Sequence, residues 1–168
     1  IYSDVVFKNY KFHLIDTGGI DVSKELFNKE IIVQAEIAIN EADVIVFIID
    51  GKEELNQNDF VIRDMLIKSG KKIIVAVNKM DNPKNMDNIY SYYELGFDNI
   101  IPVSGEHNIG LISLEEEIVK DFVEVSEDNL IDDKIRVCVI GRPNVGMISL
   151  VNALLNEEKA IVSDIAGT

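Results

Sequence analysis

Short apolar runs separated by polar turns recur along this chain, and they predict an α/β protein. Consecutive apolar residues at 44–49 and 73–77 are typical of central parallel strands, because helices cover both faces of such strands. Alternating segments at 2–8 and 11–15 predict a hairpin. Apolar residues three and four apart predict the helices, one of which ends at Gly70. The predicted helices are 31–42, 57–69, 85–95 and 111–122, and two further strands are 99–103 and 134–140.

Polar residues end the strand at 72–77, in the sequence Asn78-Lys79-Met80-Asp81. Open α/β sheets bind ligands at the carboxyl ends of their strands. Asp81 can accept hydrogen bonds from both the ring N1–H and the exocyclic amine of guanine, a donor pair that adenine lacks. Asn78 can bond the base and brace a neighbouring loop, while the Lys79 stem can lie on the purine. The stretch therefore predicts a guanine site, with an ordinary strand end and turn as the alternative.

A second motif, Gly141-Arg-Pro-Asn-Val-Gly146, lies between a predicted strand and a predicted helix. This is the G-x-x-x-x-G spacing of a phosphate loop, in which backbone N–H groups and the helix N-terminus bind phosphate. The next two residues of such a loop are Lys and Ser or Thr, but here they are Met147 and Ile148. The phosphate-binding charge and the magnesium-binding hydroxyl are therefore missing, which predicts impaired hydrolysis.

Four motifs together resemble the translation-factor-like P-loop GTPases, and the Der (EngA) family most closely. They are Asp16-Thr17-Gly18-Gly19, Asn78-Lys79-Met80-Asp81, Ser104-Gly105-Glu106 and the loop that starts at Gly141. That family carries two GTPase domains in tandem and acts in large ribosomal subunit assembly. The resemblance covers nearly the whole chain, and it implies a three-layer P-loop NTPase fold, GTP or GDP as ligand, and GTP hydrolysis as the family's activity.

The resemblance also assigns roles to individual residues. It implies that Asp16 and Thr168 help to bind Mg²⁺, and that Asn144 helps to bind K⁺. Ile20 stands where Ras-like enzymes have a glutamine that orients water, which implies slow hydrolysis unless potassium or a partner assists. The implied nucleotide-binding set is Asp16, Gly19, Asn78, Lys79, Asp81, Ser104, Gly105, Asn144, Val145 and Gly146.

The motifs stand in a permuted order, because a GTPase of this class begins with the phosphate loop that comes last here. We expect residues 1–123 to form a G-domain body without its phosphate-loop strand, 124–134 to be an acidic linker, and 135–168 to supply strand, helix and switch segment. One account is a segment that runs from inside the first G domain of a tandem protein into the second. A sheet without its middle strand exposes two edges. We therefore expect 135–168 to complete a circularly permuted G domain, within one chain or in a swapped dimer.

The composition of the chain bears on its binding partners and on its cellular compartment. The formal charge of −14 over 168 residues argues against a general nucleic-acid-binding surface, so a ribosomal partner would need a local basic patch or another segment. The single cysteine, Cys138, fits a reducing compartment and hence the cytoplasm. No apolar run approaches the roughly 18–20 residues of a membrane span, so no membrane partner is expected.

Two functions from different classes fit these observations. The first is guanine-nucleotide binding with impaired hydrolysis. The alternative is a catalytically dead module that keeps the G-domain shape and docks a ribosomal or GTPase partner. Binding of GDP compared with ADP separates the two.

Overall fold

A six-stranded sheet organises the described residues of the structure, a computed structural model that covers 2–20, 28–122 and 135–155. The strands are β1 (Tyr2–Phe7), β2 (Tyr10–Asp16), β3 (Val44–Asp50), β4 (Lys72–Asn78), β5 (Ile100–Pro102) and β6 (Ile135–Gly141). The helices are α1 (Asn28–Glu41), α2 (Gln57–Ser69), a 3₁₀ helix (Pro83–Leu95), α3 (Leu111–Val119) and α4 (Met147–Leu155).

The spatial order of the strands is β1-β2-β6-β3-β4-β5. β1 and β2 form the predicted antiparallel hairpin, and the remaining neighbours are parallel. All seven residues of β3 are buried, as expected for a strand whose two faces are covered by helices. The prediction of a mostly parallel α/β sheet is confirmed.

The strand that comes last in the chain, β6, lies in the middle of the sheet. It pairs with β2 on one side, where Ile15 is opposite Cys138, and with β3 on the other, where Ile45 is opposite Cys138. Asp43 fixes the start of β6, because its N–H donates to the Arg136 carbonyl and its carboxylate accepts from the Arg136 N–H, both at 2.7 Å. β6 therefore lies between β2 and β3, two strands that precede it in the chain.

Two hydrophobic cores lie on opposite faces of the sheet, which makes three layers. One core includes Leu114 of α3 and Leu150 of α4 together with residues of the β1–β2 hairpin. The other includes Ala35 of α1, Ile62 of α2 and Leu95 of the 3₁₀ helix. Helix α1 therefore packs on the face opposite to α4.

Local chemistry explains where the predictions hold and where they differ. Helix α2 has the predicted bounds because Asn56 and Asp59 form a capping box and Gly70, at φ 67°, ends the helix. The helix predicted at 85–95 is instead a 3₁₀ helix that starts at Pro83. Its Asn, Asp, Ser and Tyr residues are poor α-helix formers. β5 is shorter than predicted, and Pro102 at its end has no N–H to extend the pairing.

Some predictions fall outside the described ranges: the acidic linker at 124–134 and the switch segment with Thr168. Helix α3 ends three residues before the predicted 122, in a turn where the Phe122 N–H donates to the Val119 carbonyl at 3.0 Å. Within the described ranges, no helix is long and apolar enough to cross a membrane.

Candidate nucleotide-binding site

The candidate site lies at the carboxyl edge of the sheet, where four parallel strands end side by side. Their last residues are Asp16, Asp50, Asn78 and Gly141, on β2, β3, β4 and β6. Because these strands are parallel, the loops that follow them meet at one edge. Three of the four sequence motifs follow β2, β4 and β6 and lie at this edge. The fourth motif, which starts at Ser104, follows β5, the strand next to β4.

Asn78 joins two of these loops through its side-chain amide. Its Nδ2 donates to the carbonyls of Val145 at 2.9 Å and Gly146 at 3.2 Å, and its Oδ1 accepts from the Gly105 N–H at 3.0 Å. Asn78 is 2% exposed, so these bonds are shielded from water. This three-bond connection, the Asn78 bridge, fixes the phosphate loop relative to the loop after β5.

Glycine is required at both ends of the Asn78 bridge. Gly146 has φ 89°, and a Cβ there would overlap the Asn78 amide. A Cβ at Gly105 would lie 2.5 Å from the backbone nitrogen of Leu150 in α4. The two loops can therefore approach Asn78 and α4 closely only without side chains at these positions.

Lys79 makes an ion pair that the sequence analysis missed. Its backbone is left-handed, with φ 64°, and its Nζ lies 2.8 Å from Asp50 Oδ2 and 3.0 Å from the Asn144 carbonyl. The Asp50 side chain is 4% exposed. The signal available in the sequence was an acid at the end of an otherwise apolar strand, since Asp50 is directly opposite Asn78 in the β3–β4 register.

Asp81 presents its carboxylate beside the loop after β5. The side chain is 28% exposed, and its Oδ2 lies 3.5 Å from Nε2 of His107. The His107 N–H donates to the hydroxyl of Ser104 at 3.2 Å. Asp81 and the Ser104 loop thus lie next to each other, which is consistent with the predicted guanine site.

The turn after β2 packs against the phosphate loop. The Gly18 N–H donates to Asp16 Oδ1 at 2.8 Å, and the Ile20 N–H donates to the Gly141 carbonyl at 2.7 Å. Gly19, at φ 90°, is so close that an added Cβ would lie 3.3 Å from Cα of Pro143. Ile20 is 1% exposed, so its side chain is part of the core and not of a reaction site.

Arg142 of the phosphate loop is bound by two acids that the sequence analysis did not connect with it. Its Nε donates to Asp59 Oδ1 at 3.1 Å and its Nη2 donates to Glu53 Oε2 at 2.7 Å. Asp59 is fully buried, and this burial raises the pKa of its carboxyl, although Arg142 opposes the shift. The cluster attaches the phosphate loop to the start of α2.

Helix α4 begins directly after this loop, with Met147. The Leu150 N–H donates to the Gly146 carbonyl at 3.1 Å, which continues the helix from the loop. Asn144 is left-handed, at φ 67°. The Met147 side chain is 7% exposed and lies in the same core as Leu150. The next residue, Ile148, has a hydrocarbon side chain, so neither residue offers a polar side-chain group to a phosphate or a metal ion.

Comparison with known proteins identifies the family. The model of the family described as "50S ribosome-binding GTPase" matches residues 1–79 and 136–168. The chain belongs to the 50S ribosome-binding GTPase family. Within that family it is similar to GTPase Der of Staphylococcus haemolyticus and of Oceanobacillus iheyensis, at 49% identity over 168 residues each. These matches cover all of this chain and 38% of each relative, and they confirm the predicted resemblance to Der.

Solved structures of related GTPases share the fold. A variant of Aquifex aeolicus Era bound to GDP·AlF₄⁻ has a TM-score of 0.62 at 25% identity, over 74% of this chain and 45% of that chain. Era in complex with MgGDPNP and a segment of 16S ribosomal RNA has the same TM-score and identity, over 80% of this chain and 47% of that chain. The predicted P-loop GTPase fold is confirmed.

This family member departs from the magnesium site that the resemblance implied. Mg²⁺ binds oxygen ligands in octahedral geometry. Asp16 supplies one carboxylate, but Ile148 supplies a hydrocarbon where a hydroxyl is needed, and Thr168 lies outside the described residues. No cluster of three or more His, Cys, Asp or Glu in the described ranges could hold a metal ion. Asp16 lies at the carboxyl edge of the sheet, the hydroxyl expected at 148 is missing, and the role of Thr168 stays a prediction.

Proposed function

We propose that this chain binds guanine nucleotides, GDP and GTP, at the carboxyl edge of its sheet and hydrolyses GTP slowly or not at all. The observation that carries the proposal is the Asn78 bridge, which holds the phosphate loop and the Ser104-Gly105 loop beside Asp81. A generic strand end needs no such connection between loops 67 and 27 residues away in sequence.

The base is recognised by Asp81 and the Gly105 loop. The Asp81 carboxylate has two oxygens for the N1–H and exocyclic amine of guanine, and adenine offers no matching pair of donors. The Lys79 Nζ is held by Asp50 and the Asn144 carbonyl, and its apolar stem can cover one face of the base. Asn78 contributes by position, since its amide hydrogens and oxygen are already bonded within the protein.

The variant Asp81→Asn tests base recognition. It should weaken GDP binding about 10- to 100-fold, because a charge-assisted hydrogen bond pair is lost, and it should favour xanthosine diphosphate. Equilibrium titration with GDP, xanthosine diphosphate and ADP measures this. Asp87→Asn, an exposed aspartate in the 3₁₀ helix, is the matched control and should bind GDP normally. Unchanged GDP affinity in Asp81→Asn would contradict the proposal.

Slow hydrolysis follows from the residues after the phosphate loop. Phosphoryl transfer depends on positive charge positioned over the β- and γ-phosphates. Met147 supplies none, Ile148 cannot bind magnesium, and the buried Ile20 cannot orient water. Restoring Met147→Lys and Ile148→Ser should raise nucleotide affinity and its dependence on Mg²⁺. Phosphate release should stay slow and should increase with K⁺ through Asn144. GTP turnover by the unmodified chain at a rate typical of its GTPase family would contradict this part.

The biological setting we propose is assembly of the large ribosomal subunit in the cytoplasm, by analogy with the Der relatives. The chain spans 38% of the length of those relatives, so parts of the ribosome contact can lie elsewhere. The Era structure with 16S ribosomal RNA shows an RNA complex for that protein. Cosedimentation with large subunits, with and without GDP, tests the proposal. Ribosome binding without any GDP binding would instead support the catalytically dead docking module.

We also propose that residues 135–168, after the linker at 124–134, complete the G domain begun by 1–123. The support is that β6 pairs with both β2 and β3. Removal of 135–168 should leave two open strand edges and cause aggregation. Light scattering of the whole chain separates closure within one chain from a swapped dimer. A compact, protease-resistant 1–123 would contradict the proposal.

A further inference from the structure

The loop that follows β5 is closed into a tight turn by its own backbone. The Ser104 N–H donates to the Ile109 carbonyl at 2.9 Å, and the Ile109 N–H donates to the Ser104 carbonyl at 3.0 Å. Asn108, inside the turn, is left-handed, with φ 55°. Gly110 follows the turn at φ 72°, and a Cβ there would overlap the Pro102 carbonyl oxygen. The backbone of the turn is therefore fixed at both of its ends.

His107 lies in this turn and points at the base end of the site, where the turn meets Asp81. Its N–H donates to the hydroxyl of Ser104 at 3.2 Å, and Ser104 is 1% exposed, so the His107 backbone is anchored to a buried group. Its ring Nε2 lies 3.5 Å from Oδ2 of Asp81. Among the described residues, His107 is the only ion-pair partner of Asp81. The imidazole thus contacts the carboxylate that we propose for base recognition.

This contact leaves the Asp81 carboxylate able to bind guanine. An ionised carboxylate has about four lone-pair sites on its two oxygens. Guanine uses two of these sites, one for its N1–H and one for its exocyclic amine, and a donor on Nε2 of His107 uses a third. The two side chains are 28% and 51% exposed, so a ligand can reach both. The imidazole and the base can therefore bind the same carboxylate together.

The other two polar side chains at the base end are already held by the protein. Asn78 makes three hydrogen bonds, and the Nζ of Lys79 is bonded to Asp50 and to the Asn144 carbonyl. Without His107, Asp81 would be free to rotate, and binding would have to order it. Ordering a side chain costs affinity, and a side chain that is held in place beforehand avoids that cost.

We propose that His107 is a positioning residue for base recognition, whose Nε2–H holds the Asp81 carboxylate in the orientation that accepts from guanine. Nε2 carries this hydrogen in one neutral tautomer of histidine and in the charged imidazole. The inference rests on the proposed guanine-nucleotide binding and deepens it, because it names a residue outside the four motifs that sets the preference for guanine.

Calorimetric titration of the full chain with GDP tests the role of His107. His107→Ala should weaken GDP binding about 3- to 10-fold, an effect between those of an exposed ion pair and of a hydrogen bond to a buried charge. His107→Gln keeps an N–H donor on its side-chain amide and should bind GDP within about twofold of the unmodified chain. Unchanged or tighter GDP binding in His107→Ala would overturn the inference, and so would a His107→Gln variant as weak as His107→Ala.

A double-mutant cycle tests whether His107 acts through Asp81. In the Asp81→Asn background, adding His107→Ala should change GDP affinity by less than about twofold, because the carboxylate that the imidazole holds is already gone. A further loss of about 3- to 10-fold in that background would overturn the inference, since the histidine would then act without the carboxylate. A loosened loop would give that same additive result, so the cycle separates positioning from a general structural role.

His13 provides a matched control, because it is the other histidine of the chain and it also pairs with an aspartate. Its Nδ1 lies 2.6 Å from Oδ1 of Asp4 on the β1–β2 hairpin, and β5 is at the opposite edge of the sheet. His13→Ala should leave GDP affinity unchanged, and an equal loss in His13→Ala and His107→Ala would overturn the inference. Urea unfolding of His107→Ala should match that of the unmodified chain, because the side chain is half exposed.

Failure of this inference can be told apart from failure of the proposed function. Normal GDP binding in His107→Ala, with GDP still preferred over ADP and with Asp81→Asn still defective, would overturn only the inference. Absence of GDP binding by the unmodified chain would overturn both.

Discussion

The two ends of the candidate site are held together by different chemistry. At the base end, the neutral Asn78 amide bonds the carbonyls of Val145 and Gly146 and the N–H of Gly105. At the phosphate end, the connections are ion pairs, with Arg142 bonded to a fully buried aspartate. The neutral bonds of Asn78 leave the Asp81 carboxylate 28% exposed to a ligand, whereas the Arg142 guanidinium is engaged by Asp59 and Glu53.

This difference separates two properties that usually occur together in a GTPase. Loop geometry depends on the Asn78 bridge and on glycines at 105 and 146, all of which are present. Phosphate chemistry depends on charge at 147 and a hydroxyl at 148, both of which are missing. Under the proposed function, the site keeps its shape for binding a guanine nucleotide and lacks the charge and hydroxyl that hydrolysis uses.

The largest expected effect comes from breaking the ion pairs of the phosphate end. Arg142→Met leaves the buried Asp59 without its cation and should lower the free energy of unfolding by roughly 3–5 kcal/mol. Urea unfolding measures the loss. Adding Asp59→Asn should recover part of it, because no uncompensated charge then remains buried.

Lys8→Met is the control for Arg142→Met. The Lys8–Glu116 pair is 3.2 Å long, with side chains 60% and 55% exposed, so its removal should change stability by about 1 kcal/mol at most. An Arg142→Met loss no greater than the control's would mean that the phosphate end does not depend on its ion pairs.

The second-largest expected effect comes from removing the Asn78 bridge. Asn78→Ala leaves the Gly105 N–H and the Val145 carbonyl without partners, which should cost roughly 2–3 kcal/mol. Hydrogen exchange should show a faster rate at the Gly105 amide, and urea unfolding gives the free energy. Asn88→Ala, on the exposed 3₁₀ helix, is the control and should leave both unchanged. A Gly105 amide that stays protected would show that the loop is held without Asn78.

The base end was largely predictable from sequence because its residues are contiguous. The run Asn78-Lys79-Met80-Asp81 follows an apolar strand, and that position alone indicates the edge where ligands bind. The central position of β6 was also predictable, since a G-domain sheet without that strand would expose two edges. The first inference uses a short run of residues, and the second uses a constraint on the sheet as a whole.

The phosphate end was less predictable because its contacts join distant residues. Arg142 lies 83 positions from Asp59 and 89 positions from Glu53. Charged residues are common in loops, so nothing in the local pattern assigns one acid to one cation. The sequence assigned no role to Asp59, whose buried carboxylate both caps α2 and bonds Arg142.

The smallest expected effect is a change in the pH dependence of stability. It compares Asp59, a buried acid with a cationic partner, with Glu115, whose pKa is raised by burial alone. Asp59, at the phosphate end, bonds Arg142. Glu115 lies on α3, the helix that follows the Ser104 loop at the base end, and burial raises the pKa of its carboxyl from 4.5 to about 7. The folded protein therefore keeps a proton that the unfolded chain releases above its ordinary pKa. Stability should fall as the pH rises from about 4.5 to about 7.

Glu115→Gln removes this titration and should be more stable than the unmodified chain by about 1 to 2 kcal/mol above pH ~7, with little difference below pH ~4.5. Solvent access to the partly buried carboxyl keeps the gain below the full value of the pKa shift. Urea unfolding across this range measures it. Glu116→Gln, on the same helix with an exposed carboxylate, should leave the pH dependence unchanged. An equally steep decline in Glu115→Gln would place the pH dependence elsewhere, with Asp59 at the phosphate end as the next acid to test.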